Sequence, residues 1–330
     1  MRFSPRASGL LAAVVTVAIW TGFIVIARAS AGHTLTSFDL ALCRLAGASL
    51  VLLPWGLYLT RRDSAAGKAS SSLWGFSPLP WRQTVVAGCF GGLVYSVLCY
   101  AGFFFAPAAH ASVLMPGSLP LWTALLAVMV LGERLTKARA FGLACIVAGD
   151  AVVGGTSLLR AAMGGGDVWK GDLLFMSAAF CWSVYGVTAR HFKLDAVRAT
   201  IAITAFAFFT YVPAYVLLSG LDMIPTRLAT APWSEIVFQM MFQGGGSVVI
   251  SGITFTHMVR HFGPIRSTMI TALVPGLSAL GAVIFLGEPL GLNLLAGLAL
   301  VTLGIMFGVR AVRPGPVENC GGKATVAAAP

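Results

Sequence analysis

One fragment occurs twice in this chain, 155 positions apart. Residues 120–135 read PLWTALLAVMVLGERL, and residues 275–290 read PGLSALGAVIFLGEPL. At this offset thirteen of the thirty residues from 120 to 149 are identical to their counterparts, and the tripeptide LGE is conserved whole between the two copies. Identity at a fixed spacing over this length indicates an internal duplication. We therefore expect the chain to fold as two related units.

The composition places both units in a membrane. The chain is 58% hydrophobic and 10% charged, with a mean hydropathy of +0.87. A helix that crosses the hydrocarbon core needs about 20 apolar residues. Ten stretches qualify, which predicts an all-α integral membrane protein with little soluble mass. They lie at 8–28, 37–60, 83–105, 111–131, 138–157, 171–191, 198–219, 236–257, 264–286 and 291–311.

The basic residues predict how these ten stretches are oriented. The net charge of +11 comes from short clusters between apolar stretches, which is how membrane proteins encode topology, and it does not indicate nucleic-acid binding. With the N-terminus in the cytoplasm, seventeen of the 22 Lys and Arg fall inside and four outside, while Arg44 lies within a span. We therefore predict cytoplasmic termini and a bacterial inner-membrane location.

The offset between matching residues drifts along the chain, from 162 at Trp20 and Trp182, through 159 at Pro54 and Pro213, to 155 from the third span onward. Loops of different length in two five-helix units would produce this drift. Because five is odd, the second unit has inverted topology. The expected divisions are a first repeat at 8–157, a connector at 158–170, a second repeat at 171–312 and a flexible cytoplasmic tail at 313–330.

The duplicated LGE, the repeat length and the ten spans together resemble the drug/metabolite transporter superfamily, specifically its EamA-type members. The resemblance covers about residues 8 to 312. It implies a central cavity lined by spans one, three, four, six, eight and nine, and transport of small organic solutes such as amino acids or related metabolites, often outward. Inverted repeats are also a common basis for alternating access.

Aromatic side chains are the first candidates for lining that cavity. Trp20 and Trp182 occupy equivalent positions near the middle of spans one and six, with Tyr185 beside Trp182. Tyr95 and Tyr100 lie on span three. Membrane aromatics often anchor at the interface or fill space, so a packing role stays open beside a solute-binding role.

Polar residues on span eight form a stripe. Gln239, Gln243 and Ser247 recur every four residues, so they share one face of an apolar helix. Such groups need partners in lipid, either on another helix or in a watered cavity. Because the resemblance implies that span eight lines the cavity, we favour the cavity and assign these residues to solute binding.

Arg44 is the one basic residue within a span, about a third of the way into the second. An ionised group there must snorkel, pair or face water. Binding of a solute carboxylate and a structural role both stay open. By the early offset its counterpart is Phe206, so the charge is present in one unit only.

Three acids could exchange protons, although a structural role is favoured for each. Glu133 and Glu288 follow one span and precede the next, where a carboxylate can cap a helix N-terminus. In the second copy Pro289 replaces Arg134, which argues against a charge pair with the neighbouring residue. Asp150 is the only acid that we place well inside an apolar stretch.

Paired helix breakers are candidates for kinks or gates. Gly91 aligns with Gly246 within clusters of glycine, and Pro120 aligns with Pro275. Small residues allow close helix packing or unwinding. Each proline frees a backbone carbonyl of its helix.

No sequence pattern indicates chemistry on a bound cofactor. The six cysteines form no CxxC pair, and GxxxxGK[ST], HExxH and GxSxG are all missing from the sequence. We therefore predict a carrier, monomeric or homodimeric, that contacts membrane lipids and a small organic solute and uses no metal or cofactor. The alternatives are an intramembrane enzyme and a non-transporting receptor or partner subunit.

Overall fold

The computed structural model describes residues 5–67 and 71–310, and within this part the chain is helical with no strands. It is a ten-helix membrane protein, as predicted. Among the described residues, nine helices are long and apolar enough to cross a membrane, and a tenth is shorter. The predicted tail at 313–330 lies outside the described residues. The helices are α1 (Pro5–Ser30), α2 (Ser37–Ala65), α3 (Trp81–Phe105), α4 (Ala108–Leu131), α5 (Lys137–Ala162), α6 (Val168–His191), α7 (Ala196–Gly220), α8 (Trp233–Gly263), α9 (Arg266–Leu286) and α10 (Leu292–Arg310).

Successive helices run in opposite directions, so the bundle has two ends. We call the end where α1 begins proximal and the end where α1 finishes, at Ser30, distal. The link between the two halves of the chain is short and distal, because α5 runs to Ala162 and α6 begins at Val168. Much of the predicted connector at 158–170 is therefore helical.

Polar side chains define where several helices begin. Thr36 and Asp39 form a capping box at the start of α2, in which each side chain bonds the other residue's amide. Thr136 accepts a hydrogen bond from the Arg139 amide at the start of α5. Asp195 caps α7 in the same way. Each cap satisfies an amide that the helix itself leaves without a partner.

The two LGE copies have the same local backbone. Gly132 ends α4 with φ of 66° and Gly287 ends α9 with φ of 65°, a conformation that favours glycine. In both copies the amide of the following glutamate bonds back to a helix carbonyl, that of Ala127 or Ala282. The duplicated sequence therefore ends two helices in the same way, and it leaves each glutamate side chain just beyond the helix.

The paired helix breakers lie at irregular backbone. Gly91 lies in a π-helical segment of α3, Cys89–Leu93, and Gly246 lies in a longer one of α8, Met240–Ile250. Pro120 begins the second half of α4, and Pro275 begins that of α9. Such irregular turns inside helices often lie at functional sites.

Glycines set the closest helix contacts. A Cβ on Gly47 of α2 would lie 2.1 Å from the carbonyl oxygen of Met240, and one on Gly244 of α8 would lie 2.4 Å from the amide nitrogen of Ala48. The backbones of α2 and α8 therefore touch at this crossing, as small residues allow within membranes. The contact brings the side chains that flank it on both helices within hydrogen-bond reach.

Candidate functional site

Arg44 lies three residues before the α2–α8 crossing and points across it. Its Nη1 donates to the carbonyl oxygen of Gln243 at 3.4 Å and to the hydroxyl of Ser247 at 2.5 Å. The guanidinium carbon lies 5.3 Å from the centre of the Phe23 ring of α1. Arg44 is 9% exposed and forms no ion pair with any carboxylate in the described part of the chain. A buried cation therefore has only neutral neighbours.

Further polar groups around Arg44 have no partners. The amide oxygen and nitrogen of the Gln243 side chain are buried without a hydrogen bond in the described chain. Tyr100 lies beside Arg44 and packs edge-on against Phe23, with ring centres 6.2 Å apart. Buried polar groups are nearly always satisfied, so each such group needs an explanation. Together these groups offer a carboxylate or amide several unused bonds.

The polar stripe of α8 divides between two roles. The Gln239 side-chain amide donates to Ser30 at 2.7 Å, which ties α8 to the distal end of α1. Gln243 and Ser247 lie at Arg44 instead. The structure therefore brings Arg44, Tyr100, Gln243 and Ser247 together, and it leaves Gln239 toward the distal end.

The other predicted aromatic residues lie in two groups. Tyr95 packs on Trp182 with ring centres 4.9 Å apart, and Trp182 packs edge-on against Tyr185 at 5.3 Å. This group joins α3 to α6, where Gly91 leaves room for Tyr185. Trp20 stacks instead on Phe255 of α8 at 5.2 Å. The two tryptophans that match in sequence therefore have different neighbours.

The structure corrects the expected counterpart of Arg44. The N-caps of α2 and α7, Thr36 and Asp195, differ by 159 positions, as Pro54 and Pro213 do. At this offset Arg44 corresponds to Ile203, not Phe206. Ile203 approaches the backbone of Gly92, the counterpart of Ser247, so an apolar side chain occupies the equivalent crossing. The fold therefore does not require an arginine at such a crossing.

Glu288 binds three groups at the distal end. Its two carboxylate oxygens each accept a backbone N–H at 3.0 Å, from Ala108 and Ala109 at the start of α4. Arg28, at the end of α1, donates to Glu288 at 3.3 Å and to the Phe103 carbonyl at 2.6 Å. Glu288 therefore caps α4 and not the helix that follows it, and it also pairs with an arginine from the other half of the chain.

Glu133 makes the related arrangement at the proximal end. It accepts a hydrogen bond from Arg139 of α5 at 3.1 Å and another from Arg190 at the end of α6. Burial raises the pKa of Glu133, but the bonds from Arg190 and Arg139 outweigh it and hold the pKa below 4.5. The capping role predicted for Glu133 is replaced by these ion pairs.

Acids are buried at more places than the sequence indicated. Asp150 is 5% exposed, and neither of its oxygens has a hydrogen-bond partner in the described chain. Asp39 is fully buried at the distal end, where Tyr215, Thr226 and the Arg227 amide all donate to it. A third buried acid, Asp172, binds His110. Asp39 and Asp172 lie within the first two turns of their helices, whereas Asp150 lies at the middle of α5, so of these three acids Asp150 alone is well inside its helix.

Sequence reasoning missed several of these residues. Phe23 and Asp172 have no distinguishing local pattern, whereas Arg28 matches Arg190 at offset 162 and could have been singled out by that match. Within the described residues, no cluster of three or more His, Cys, Asp or Glu could hold a metal ion.

A family model described as the EamA-like transporter family matches two segments of this chain, residues 7–155 and 169–310. An uncharacterized transporter of Bacillus subtilis, YyaM, is 23% identical over 235 residues, which is 69% of this chain and 73% of that protein. A "Probable amino-acid metabolite efflux pump" of Salmonella typhimurium is 26% identical over 225 residues, 66% of this chain and 73% of that protein. A solved crystal structure at 22% identity shares the fold, with a TM-score of 0.56 over 94% of this chain and 99% of that one.

Proposed function

Because the chain belongs to the EamA-like transporter family, we propose that it is a carrier that moves a small organic carboxylate, an amino acid or a related metabolite, out of a bacterial cell. The name of the Salmonella relative supports this solute class and direction. The protein would use no cofactor and catalyse no reaction. Its two halves would be inverted repeats of residues 8–157 and 171–312, working by alternating access in the inner membrane.

The buried guanidinium of Arg44 is the observation that carries this proposal. Leaving a charge in the membrane interior without a counter-charge is costly. A solute carboxylate would supply that charge, and the guanidinium fork matches its two oxygens. The Gln243 side chain has unused hydrogen-bonding groups, and the Tyr100 hydroxyl lies beside Arg44, so both would bind other polar atoms of the solute.

The aromatic residues support an apolar or aromatic side chain on the solute. Tyr95, Trp182 and Tyr185 form one wall between α3 and α6, and Trp20 lies on α1. Phe23 is already engaged by Arg44. We assign Trp20, Tyr95, Trp182 and Tyr185 to the apolar part of the site and Arg44 to the carboxylate.

Gates at the two ends of the bundle would be formed by the two LGE glutamates. Glu288 pairs with Arg28 distally, and Glu133 pairs with Arg190 proximally. The distal carboxylate is 13% exposed and also binds two amides, whereas the proximal one is 28% exposed. This asymmetry supports a conformation closed more tightly at the distal end. Gly91, Gly246, Pro120 and Pro275 would supply the flexible turns.

The direction of transport requires an orientation. Basic residues predict that the proximal end faces the cytoplasm, as do both termini. In that orientation the distal ion pair closes the side to which the solute is released. A carrier that is closed distally is ready to accept solute from the cytoplasm.

Transport by purified protein in liposomes tests the proposal. Efflux and counterflow of labelled amino acids and related metabolites should be saturable, and decarboxylated amines of the same side chains should not compete. Protein-free liposomes and the Arg44→Gln variant are the controls. If no carboxylate is transported by wild-type protein, the carrier assignment is wrong, and the enzyme and receptor alternatives gain weight.

A further inference from the structure

A histidine and an aspartate meet inside the bundle near its distal end. His110 is the third residue of α4, and its Nδ1 lies 2.9 Å from Oδ1 of Asp172, on the second turn of α6. The second oxygen of Asp172 accepts the hydroxyl hydrogen of Ser157 from α5. The side chains of His110 and Asp172 are 15% and 5% exposed. Three helices therefore meet around one carboxylate.

His110 lies at the start of α4, and the same turn of α4 also binds Glu288 of the distal ion pair. Ala108 and Ala109, whose amides bind Glu288, immediately precede His110 in the chain. Glu288 therefore holds the start of α4 to the end of α9 and to α1, while Asp172 holds it to α6. Freeing this end of α4 requires that both attachments loosen.

Of these two attachments, only the one through Asp172 contains a histidine. Every other ion pair of the described residues has arginine or lysine as its cation, and these stay charged in the physiological range. Histidine is the side chain that gains or loses its charge there. The charged group bound to His110 is Asp172 on α6, and Arg28 and Glu288 lie beyond the α4 amides. Lys170, at the start of α6, pairs with Asp167, and Asp150 lies seven residues before Ser157 on α5. The nearby side chain from α10 is the neutral Asn293, bound to Thr156.

The ionisable pair is present in one half of the chain only. By the offsets of the repeat, Asp172 corresponds to Leu10 and His110 to Ile265. Both counterparts are apolar residues. The matching positions of the other half therefore carry no ionisable pair.

We propose that His110 and Asp172 form a proton-binding site, and that the bound proton holds the distal end of α4 against α6. This inference concerns the distal gate and so rests on the proposed carrier. A proton from water at the distal end would add to Nε2 of His110, while Nδ1–H continues to donate to Asp172. The pair then changes from net charge −1 to zero, and release returns the same proton to water. No other bond forms or breaks.

The consequence is a gate controlled by acidity on the distal side. A hydrogen bond between imidazolium and carboxylate is stronger than one from neutral imidazole. Acid on the distal side would therefore favour the distally closed conformation, which accepts solute from the proximal side. In an exporter, proton binding at this site would therefore favour the step in which the empty carrier closes its distal end after it has released the solute.

Hydrogen exchange tests the site without any solute, so its failure is separate from failure of the carrier assignment. The readout is the protection factor of amides at 108–114, which divides out the intrinsic exchange rate at each pH. In wild-type protein in nanodiscs, protection should fall by about tenfold between pH 5.5 and 8 because the charge-assisted bond is lost. The segment 137–143 at the proximal end should show no such change.

Variants identify the titrating group. His110→Gln keeps a hydrogen-bond donor but cannot change charge, so protection should become independent of pH. His33→Gln removes an exposed histidine at the same end and should behave as wild type. If His110→Gln does not fold, Asp172→Asn replaces it and should lower protection at acid pH. Unchanged pH dependence in the variant that folds, or none in wild type, would overturn the proposal.

Discussion

Arg28 and Glu288 are 260 residues apart in sequence, yet they form an ion pair at 3.3 Å across the distal end of the bundle. Their counterparts in the repeat, Arg190 and Glu133, pair at the proximal end. Each LGE glutamate therefore binds the arginine of the other half. At each end of the bundle, the LGE motif of one half contributes the glutamate, and the first helix of the other half contributes the arginine.

Linking the partners covalently should stop transport at either end. In a background without native cysteines, Arg28→Cys with Glu288→Cys, and Arg190→Cys with Glu133→Cys, can be joined by a short thiol cross-linker. A carrier that must open both ends in turn should lose at least about tenfold in rate when either pair is joined. Reduction of a cleavable linker should restore the rate. Single-cysteine variants treated in the same way are the controls, and full transport by both linked proteins would contradict the gate assignment.

Removal of the Arg44 guanidinium should impair transport of carboxylate solutes. Truncating one partner of a buried charged hydrogen bond costs about 2 kcal/mol or more, or about 30-fold in affinity. We expect Arg44→Gln to raise the half-saturating solute concentration by at least that factor. Arg44→Lys should recover part of it, because lysine keeps the charge and loses the fork. Arg160→Gln, at an exposed position on α5, is the matched control. If Arg44→Gln binds the solute with wild-type affinity, Arg44 is not part of the solute site.

The α2–α8 crossing should not tolerate a single methyl group. A Cβ on Gly244 would lie 2.4 Å from the Ala48 amide nitrogen, whereas one on the adjacent Gly245 would have no atom within 4 Å. Gly244→Ala should therefore lower the free energy of unfolding by about 1–3 kcal/mol. Gly245→Ala should change it by less than about 0.5 kcal/mol. Denaturant unfolding in mixed micelles measures both, and equal stability of the two variants would contradict the close contact.

The proximal ion pairs should weaken in acid. The pKa of Glu133 is lowered below 4.5 in the folded protein, so its carboxylate contributes stability above that value. The contribution is lost as the pH falls through the lowered pKa. Wild-type protein should be more stable than Glu133→Gln at pH 7, and the difference should shrink below pH 4.5. Comparing the two proteins at each pH cancels other titrating groups. A stability difference between the two proteins that grows as the pH falls would contradict this prediction.

Sequence reasoning reached the ten helices, the family and four of the residues that meet at the candidate site. Arg44 stood out because a charge within an apolar stretch is rare. Gln243 and Ser247 stood out because polar groups in lipid need partners, and Tyr100 stood out as one of the aromatic residues within the spans. Phe23 did not stand out, because one phenylalanine among 21 has no local signal, and only the packing of α1 brings it under Arg44.

The sequence around each LGE glutamate was not sufficient to predict its role. The position after each LGE copy indicated a cap on the next helix, and the change from Arg134 to Pro289 argued against a charge pair. Glu288 in fact caps α4, about 180 residues away, and both glutamates pair with arginines that end α1 and α6. For Glu288 the local sequence indicated the right role, a cap on a helix N-terminus, but it did not indicate the arginine partners Arg28 and Arg190.

By itself the sequence determined the lipid environment, the helix count and the duplication, because each depends on the local density and order of apolar residues. Only the tertiary structure decided which charged groups meet. Arg28 reaches Glu288, and His110 reaches Asp172, because α1 packs against α9 and α4 packs against α6. Hydrogen bonds and ion pairs extend only a few ångströms, so their partners depend on how the helices pack and not on their order in the chain.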